Sequence, residues 1–122
     1  LAQFDTIKKL AQEEPCVIVG RCADYALAEY PGMVSVFICG DEEDKIQKLM
    51  NRHGVTREKA KDIMIKTDKQ RSSYYNYYSS KKWASCRSYD LCLNSSVVGI
   101  DGAVSIIRAF AEKKMEYRRS QK

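Results

Sequence analysis

Residues 33–40 read MVSVFICG, and the fold turns on how that run is understood. It is short, almost wholly apolar, rich in β-branched residues and closed by a glycine. That pattern predicts a strand buried on both faces rather than one edge of an amphipathic helix. CVIVG at 16–20 repeats it, and YDLCLNSS at 89–96 gives a third run of the same kind. Between and around these runs the period changes. Residues 2–14 place Phe4, Ile7, Leu10 and Ala11 on one face before Pro15 stops the helix. In DEEDKIQKLMNRHG, Asp41 is a cap, acidic residues fill the first turn, and Ile46, Leu49, Met50 and His53 make the stripe that Gly54 ends. Thr56 caps a second helix that runs into a tyrosine-rich stretch. Asp101 opens a final helix with Val104, Ile107 and Ala111 inward. Short strands alternating with helices predict an α/β domain, three-layered, with a mainly parallel sheet and flanking helices.

The totals fit that reading. The chain has 122 residues, 44% hydrophobic and 30% charged, which suits one globular domain and excludes a disordered chain. The longest apolar run, Met33 to Cys39, is too short to cross a bilayer. The cysteines number five, an odd count without CxxC or Cys/His metal spacing. They are expected as free thiols of a cytoplasmic protein, with Cys16, Cys39 and Cys92 as small buried hydrophobes and no metal site. Net charge is +5. Part of the excess lies in Lys113, Lys114, Arg118, Arg119 and Lys122, where cations favour a helix dipole. The rest gathers in Lys66, Lys69, Arg71, Lys81, Lys82 and Arg87, a concentration that suits a phosphate-bearing ligand.

Ligands of parallel sheets gather at the carboxyl ends of the strands. That rule selects Gly20-Arg21-Cys22-Ala23-Asp24, Gly40-Asp41 and Asn94-Ser95-Ser96. Arg21 offers a rigid fork for a phosphate or carboxylate. Asp24 either accepts from a base amino group or pairs with Arg21. The stretch DKQRSSYYNYYSSKKW at 68–83, read as a helix, sets Met64, Asp68, Arg71, Tyr75 and Tyr78 on one face. Asp68 and Arg71 stand three apart, within reach of each other, so the carboxylate holds the guanidinium. Tyr74 and Tyr77 point elsewhere. A stacking platform for bases is usually built on a sheet or barrel along a basic groove, so tyrosines on a helix weigh against nucleic acid as a partner. His53 is expected to pack or cap.

With these residues in hand, the chain resembles the C-terminal part of a cytidylate kinase-like protein of the P-loop nucleoside monophosphate kinase group. The resemblance rests on PCVIVGRCADYAL, VFICGDEEDKIQKLMNRHGV, IKTDKQRSSYYNYYSSKKW and YDLCLNSSVVGIDGAV, in that order, and covers nearly the whole chain. It implies an ATP-dependent phosphotransferase acting on a CMP-like monophosphate, with ATP and Mg²⁺ as cofactors. Arg21 matches the arginine of a G-R-D motif that binds the acceptor phosphate. Cys22 stands where the motif's aspartate would, and Asp24 is offset from it. The helix with Asp68 and Arg71 resembles the lid, about 57–83, with Lys69 and Lys66 beside it. Asn94 and Ser95 correspond to the region that lines the donor adenine. Such clamps act by positioning and charge stabilisation.

One expected part is missing from these residues. No G-x-x-x-x-G-K-[ST] occurs, and the glycines at 20, 32, 40, 54, 99 and 102 are scattered. The expectation is therefore a single partial domain over 1–122, incomplete at its N-terminal side and inactive alone. In this group the P-loop strand lies between the strands matching 16–20 and 33–39. At a strand spacing of about 4.8 Å, its absence leaves those two about 10 Å apart with unpaired edges. Self-association, a rearranged sheet or an added N-terminal segment would answer that. The alternatives are a non-catalytic dimerising or nucleotide-binding remnant and, less favoured, an RNA-binding module. No membrane partner is expected.

Overall fold

The computed structural model describes residues 2–121. Its order is α1 (Ala2–Glu13), α2 (Ala23–Ala26), β1 (Val36–Cys39), α3 (Glu42–His53), α4 (Arg57–Ser79), a 3₁₀ turn (Cys86–Ser88), β2 (Leu91–Asn94) and α5 (Ser95–Ser120). This is a mixed helix–strand chain, mostly helical, with a small parallel sheet. β1 and β2 pair in register, Val36 opposite Leu91 through Cys39 opposite Asn94. Because partners in a parallel pair share a face, Phe37 and Cys39 lie on the side of Cys92 and Asn94. Trp83 and Tyr89 cover Phe37 there, with ring centroids 5.2 and 5.0 Å away.

Three strands were expected, and two form among the described residues. The stretch at 16–20 is not a strand: Val17 is 93% and Val19 88% exposed. A strand is stable only when a neighbour takes its backbone N–H and C=O groups; β1 pairs with β2 along one edge, and 16–20 pairs with neither strand. The stretch does not join the sheet, so apolar residues that read as doubly buried stand in solvent. Both strands are also shorter than the apolar runs that announced them. The residues before them make a staple instead. Asp90 Oδ2 accepts from Ser35 N at 3.0 Å, Asp90 N donates to Ser35 Oγ at 2.9 Å, and Lys114 Nζ donates to that same Oδ2 at 2.7 Å and to Met33 O at 2.5 Å. This ties α5 to the start of both strands.

Two small cores result. Ile7 and Ala11 of α1 meet Ala23, Ala26 and Leu27, with Phe4, Ile18 and Met33 packed alongside. Ile46 of α3 meets Ala60 and Met64 of α4, with Leu49, Met50 and Val55 around them. The α3–α4 hairpin has the signals that its sequence carries. Gly54 closes α3 at φ 61°, a left-handed C-cap that glycine adopts freely. Thr56 Oγ1 accepts from Lys59 N at 3.2 Å and opens α4. His53 is exposed and takes no place in the stripe. In α5, Gly99 at φ 75°, ψ 171° breaks the helix just before the start expected at Asp101. Val104 faces solvent and Ala103 is the buried residue. The thiols differ from expectation as well: Cys16 and Cys92 are exposed, Cys39 is half-buried, and Cys22 is the buried one.

Candidate functional site

At Arg21 the backbone is unusual. Gly20, Arg21 and Cys22 all have positive φ (72°, 61° and 53°), and Ala23 N donates to Gly20 O at 3.2 Å. A turn with two left-handed central residues normally wants glycine or asparagine there, and arginine and cysteine hold it at a cost of about 1–2 kcal/mol each. The turn leaves Arg21 exposed and in no ion pair among the described residues. Cys22 is tucked beneath, its Sγ 3.9 Å from Tyr74 O. Burial, helped by the Asp24 carboxylate, pushes its thiol up to about 11.

Asp24 does neither thing expected of it. Oδ1 accepts from Tyr25 N at 2.9 Å, and Oδ2 accepts from the Tyr75 hydroxyl at 2.8 Å. Tyr75 is buried, and its ring stacks on Tyr89 at 5.6 Å with an interplanar angle of 24°. Burial first, then the hydrogen bond to the Asp24 carboxylate, drives its phenol far above the ordinary value. The other tyrosines divide the work. Tyr78 meets Phe4 edge-on at 6.0 Å, and the Tyr74 hydroxyl donates to Gln3 Oε1 at 2.9 Å. Tyr77 is left exposed.

On α4, Asp68 and Arg71 do touch, at 3.6 Å, and Asp68 has a second cation, Lys45 Nζ of α3, at 3.3 Å. Around them the two helices form a cleft of about 190 Å³. It is lined by Lys45, Lys48, Leu49 and Arg52 from α3 and by Met64, Thr67, Asp68 and Arg71 from α4. Four cations face one carboxylate there. A cleft of this charge can attract an anion, phosphates among them. The α3 cations were not anticipated, although Lys45, Lys48 and Arg52 at spacings of three and four mark a basic helical face. Lys69 lies elsewhere, in an open recess with Lys66, Gln70 and the exposed tyrosine side of α4.

The carboxyl end of β2 is a lacework of hydrogen bonds. Asn94 Oδ1 caps α5 through Ser96 N at 2.9 Å, and Asn94 Nδ2 donates to Asp41 Oδ1 at 2.9 Å. Ser95 Oγ donates to Cys39 O at 3.2 Å, and Asp41 N donates to Ser96 Oγ at 2.8 Å. Asn94 and Ser95 thus join the carboxyl ends of β1 and β2 to the start of α5. Among the described residues, no group of three or more His, Cys, Asp or Glu is placed to hold a metal ion. None of the described helices is long and apolar enough to cross a membrane.

Known proteins can now be set beside this geometry. The model of the cytidylate kinase-like family matches residues 1–97. The chain belongs to the cytidylate kinase-like family. A crystal structure of an uncharacterized protein from Eubacterium ventriosum ATCC 27560 superposes with a TM-score of 0.87 at 40% identity. That match covers 91% of this chain and 63% of that one, so the family member described here spans under two-thirds of its relative's length. No curated protein matches the chain. The turn at Arg21, the α3–α4 cleft and the joined strand ends are therefore features of a cytidylate kinase-like chain, and its relationship is kinase-like.

Proposed function

We propose that these residues form the acceptor and lid part of an ATP-dependent nucleoside monophosphate kinase with a P-loop kinase-like fold. The observation that carries the reading is the α3–α4 cleft, where Lys45, Lys48, Arg52 and Arg71 converge around Asp68. In this reading α4 is the lid. Arg71, steadied by Asp68, neutralises charge on the phosphoryl group in transit, and Lys45 shares that load. Arg21, exposed and in no ion pair among the described residues, takes the phosphate of a CMP-like acceptor. Lys69 stands at the lid's outer edge as a further phosphate contact. Asn94 and Ser95 border the donor adenine. Asp24 is engaged by Tyr75 and serves the shape of the Arg21 turn rather than the base.

The charge of the cleft fits the phosphates of ATP. Mg²⁺ is commonly held through substrate phosphates, and ATP bound in this cleft would bring the ion with it. When bound, ATP supplies the phosphoryl group. This chain's residues bind, orient and screen charge, and the segment that cradles the donor phosphates comes from outside these 122 residues. The chain alone is inactive, and ATP turnover by purified 122-residue material would refute that. The direct test is a CMP titration of the purified chain followed by NMR. Arg21 and Arg71 side-chain signals should shift, and Arg21→Ala should abolish the response. Shifts confined to Lys66 and Lys69 would sink the assignment.

A second reading, a dimerising nucleotide-binding module, is favoured by the exposed surface. The chain exposes 9197 Å². A compact monomer of its 14.0 kDa should expose about 6,700 Å². The excess, about 2,500 Å², exceeds what one partner contributes to a standard interface, about 800 Å². Val17, Val19, Ile38, Val97 and Ile100 contribute exposed apolar side chains to it. Sedimentation at two concentrations separates the cases. A concentration-dependent dimer supports self-association, and a monomer at both supports cover by further polypeptide of the same protein.

A further inference from the structure

We propose that Tyr75 is a positioning residue: through Asp24 it holds the Gly20–Ala23 turn in its left-handed form, so that Arg21 and the Asp68/Arg71 face of α4 keep a fixed relation. The proposal rests on the acceptor role given to Arg21 and adds the device that sets it. Three observations carry it. Arg21 and Cys22 occupy a left-handed conformation that neither favours, and such backbone persists only where its surroundings over-determine it. Ala23 and the residues after it pack on α1, and the polar contacts of the turn with the rest of the molecule run to α4: the Tyr75 hydroxyl on Asp24 at 2.8 Å, and the Cys22 thiol against Tyr74 O at 3.9 Å. Tyr75 itself cannot swing, because it is buried and stacked on Tyr89.

The placement along α4 gives the latch its meaning. Asp68, Arg71 and Tyr75 follow at three and four residues on one face, so the charged pair and the latch are about 10 Å apart on a single rigid helix. Any shift of α4 that carries Arg71 also pulls on Asp24. The turn that presents Arg21 lies within three residues of that pull. Asp24 in turn spends both oxygens on this arrangement, on Tyr75 and on Tyr25 N, rather than on Arg21.

Tyr75→Phe removes the hydroxyl and keeps the ring and its stack, so the fold should survive. Asp24→Ala reaches the same link from the other side and leaves Tyr75 intact. CMP affinity would be measured for wild type, each variant, Arg21→Ala and the Arg21→Ala/Tyr75→Phe pair, together with the alkylation rate of each cysteine by peptide mapping. Loss of a hydrogen bond to a carboxylate should weaken CMP about tenfold and expose Cys22 about tenfold faster, with Cys16 and Cys86 unchanged. In the Arg21→Ala background, Tyr75→Phe should cost nothing further, which a general loss of stability would not reproduce. An equal loss in both backgrounds, or wild-type affinity with wild-type Cys22 protection, overturns the proposal. If the wild-type chain does not bind CMP, the functional reading fails by itself. Cys22 protection then decides alone: faster alkylation in both variants supports the latch, and no change refutes it.

Discussion

The stretch from Pro15 to Gly32 is more apolar in sequence than the α3–α4 hairpin, and the two end very differently. In the hairpin, Ile46 and Ala60 are almost completely enclosed, the helices are capped at Gly54 and Thr56, and the charged cleft sits on top. In the other stretch, Val17 and Val19 stand in solvent and the chain turns through three left-handed residues before α2. What separates them is where the partner lies. The hairpin's apolar faces meet across a three-residue link, Gly54 to Thr56, so its packing is local. A strand at 16–20 must find its ladder in a distant segment, and it pairs with neither open edge of the β1–β2 sheet.

The contrast can be broken first where it is strongest. Ile46→Ala should cost about 2–5 kcal/mol, because the side chain is enclosed by Ala60 and Met64 and little can collapse into its place. Urea unfolding would measure it, and a loss below about 1 kcal/mol would mean that the hairpin is not the stable half. Next in size is the cap. Thr56→Ala removes the acceptor of Lys59 N and should cost about 1 kcal/mol, with fraying confined to the first turn of α4 in amide exchange. Fraying that reached Asp68 would show that the cleft depends on the cap as well.

The same locality explains what could be read in advance. Both hairpin helices, their caps and the Asp68–Arg71 contact followed from spacing, because residues three or four apart on a helix meet whatever surrounds them. Lys45, Lys48 and Arg52 carried an equally regular spacing, but their meaning appears only when α4 is laid across them. Asp24 was ambiguous for the same reason: its partner, Tyr75, is 51 residues away. Cys16 and Cys92 looked like core because apolar neighbours surround them in sequence, yet burial is decided by what packs on the strand. The family resemblance holds over residues 1–97, yet the strand expected at 16–20 does not form.

A smaller effect tests the staple that ties α5 to the start of both strands. Burial pushes the Asp90 carboxyl up, but hydrogen bonds from Lys114 and from Ser35 N outweigh it and hold the group below the ordinary aspartate range. A carboxyl with a lowered native value stabilises the fold above its unfolded value, about pH 4, and loses that contribution as pH falls through the native one. Melting temperature should therefore drop on acidification below about pH 4, and Asp90→Asn should flatten the drop. An unchanged slope in Asp90→Asn would assign acid sensitivity to other carboxylates.

The last test expects almost nothing, and its value lies there. Val17→Ser/Val19→Ser changes two side chains that touch little, so stability of the 122-residue chain should stay within about 0.5 kcal/mol of wild type. Two buried valines replaced by serine would instead cost several times that, through lost burial and an unpaired hydroxyl. Run at two protein concentrations, the comparison separates an open stretch from one covered by a second copy. A penalty that grows with concentration means that the valines are buried between copies. A penalty of several kcal/mol at every concentration means that the stretch packs within the chain, and the difference between the two regions would then disappear.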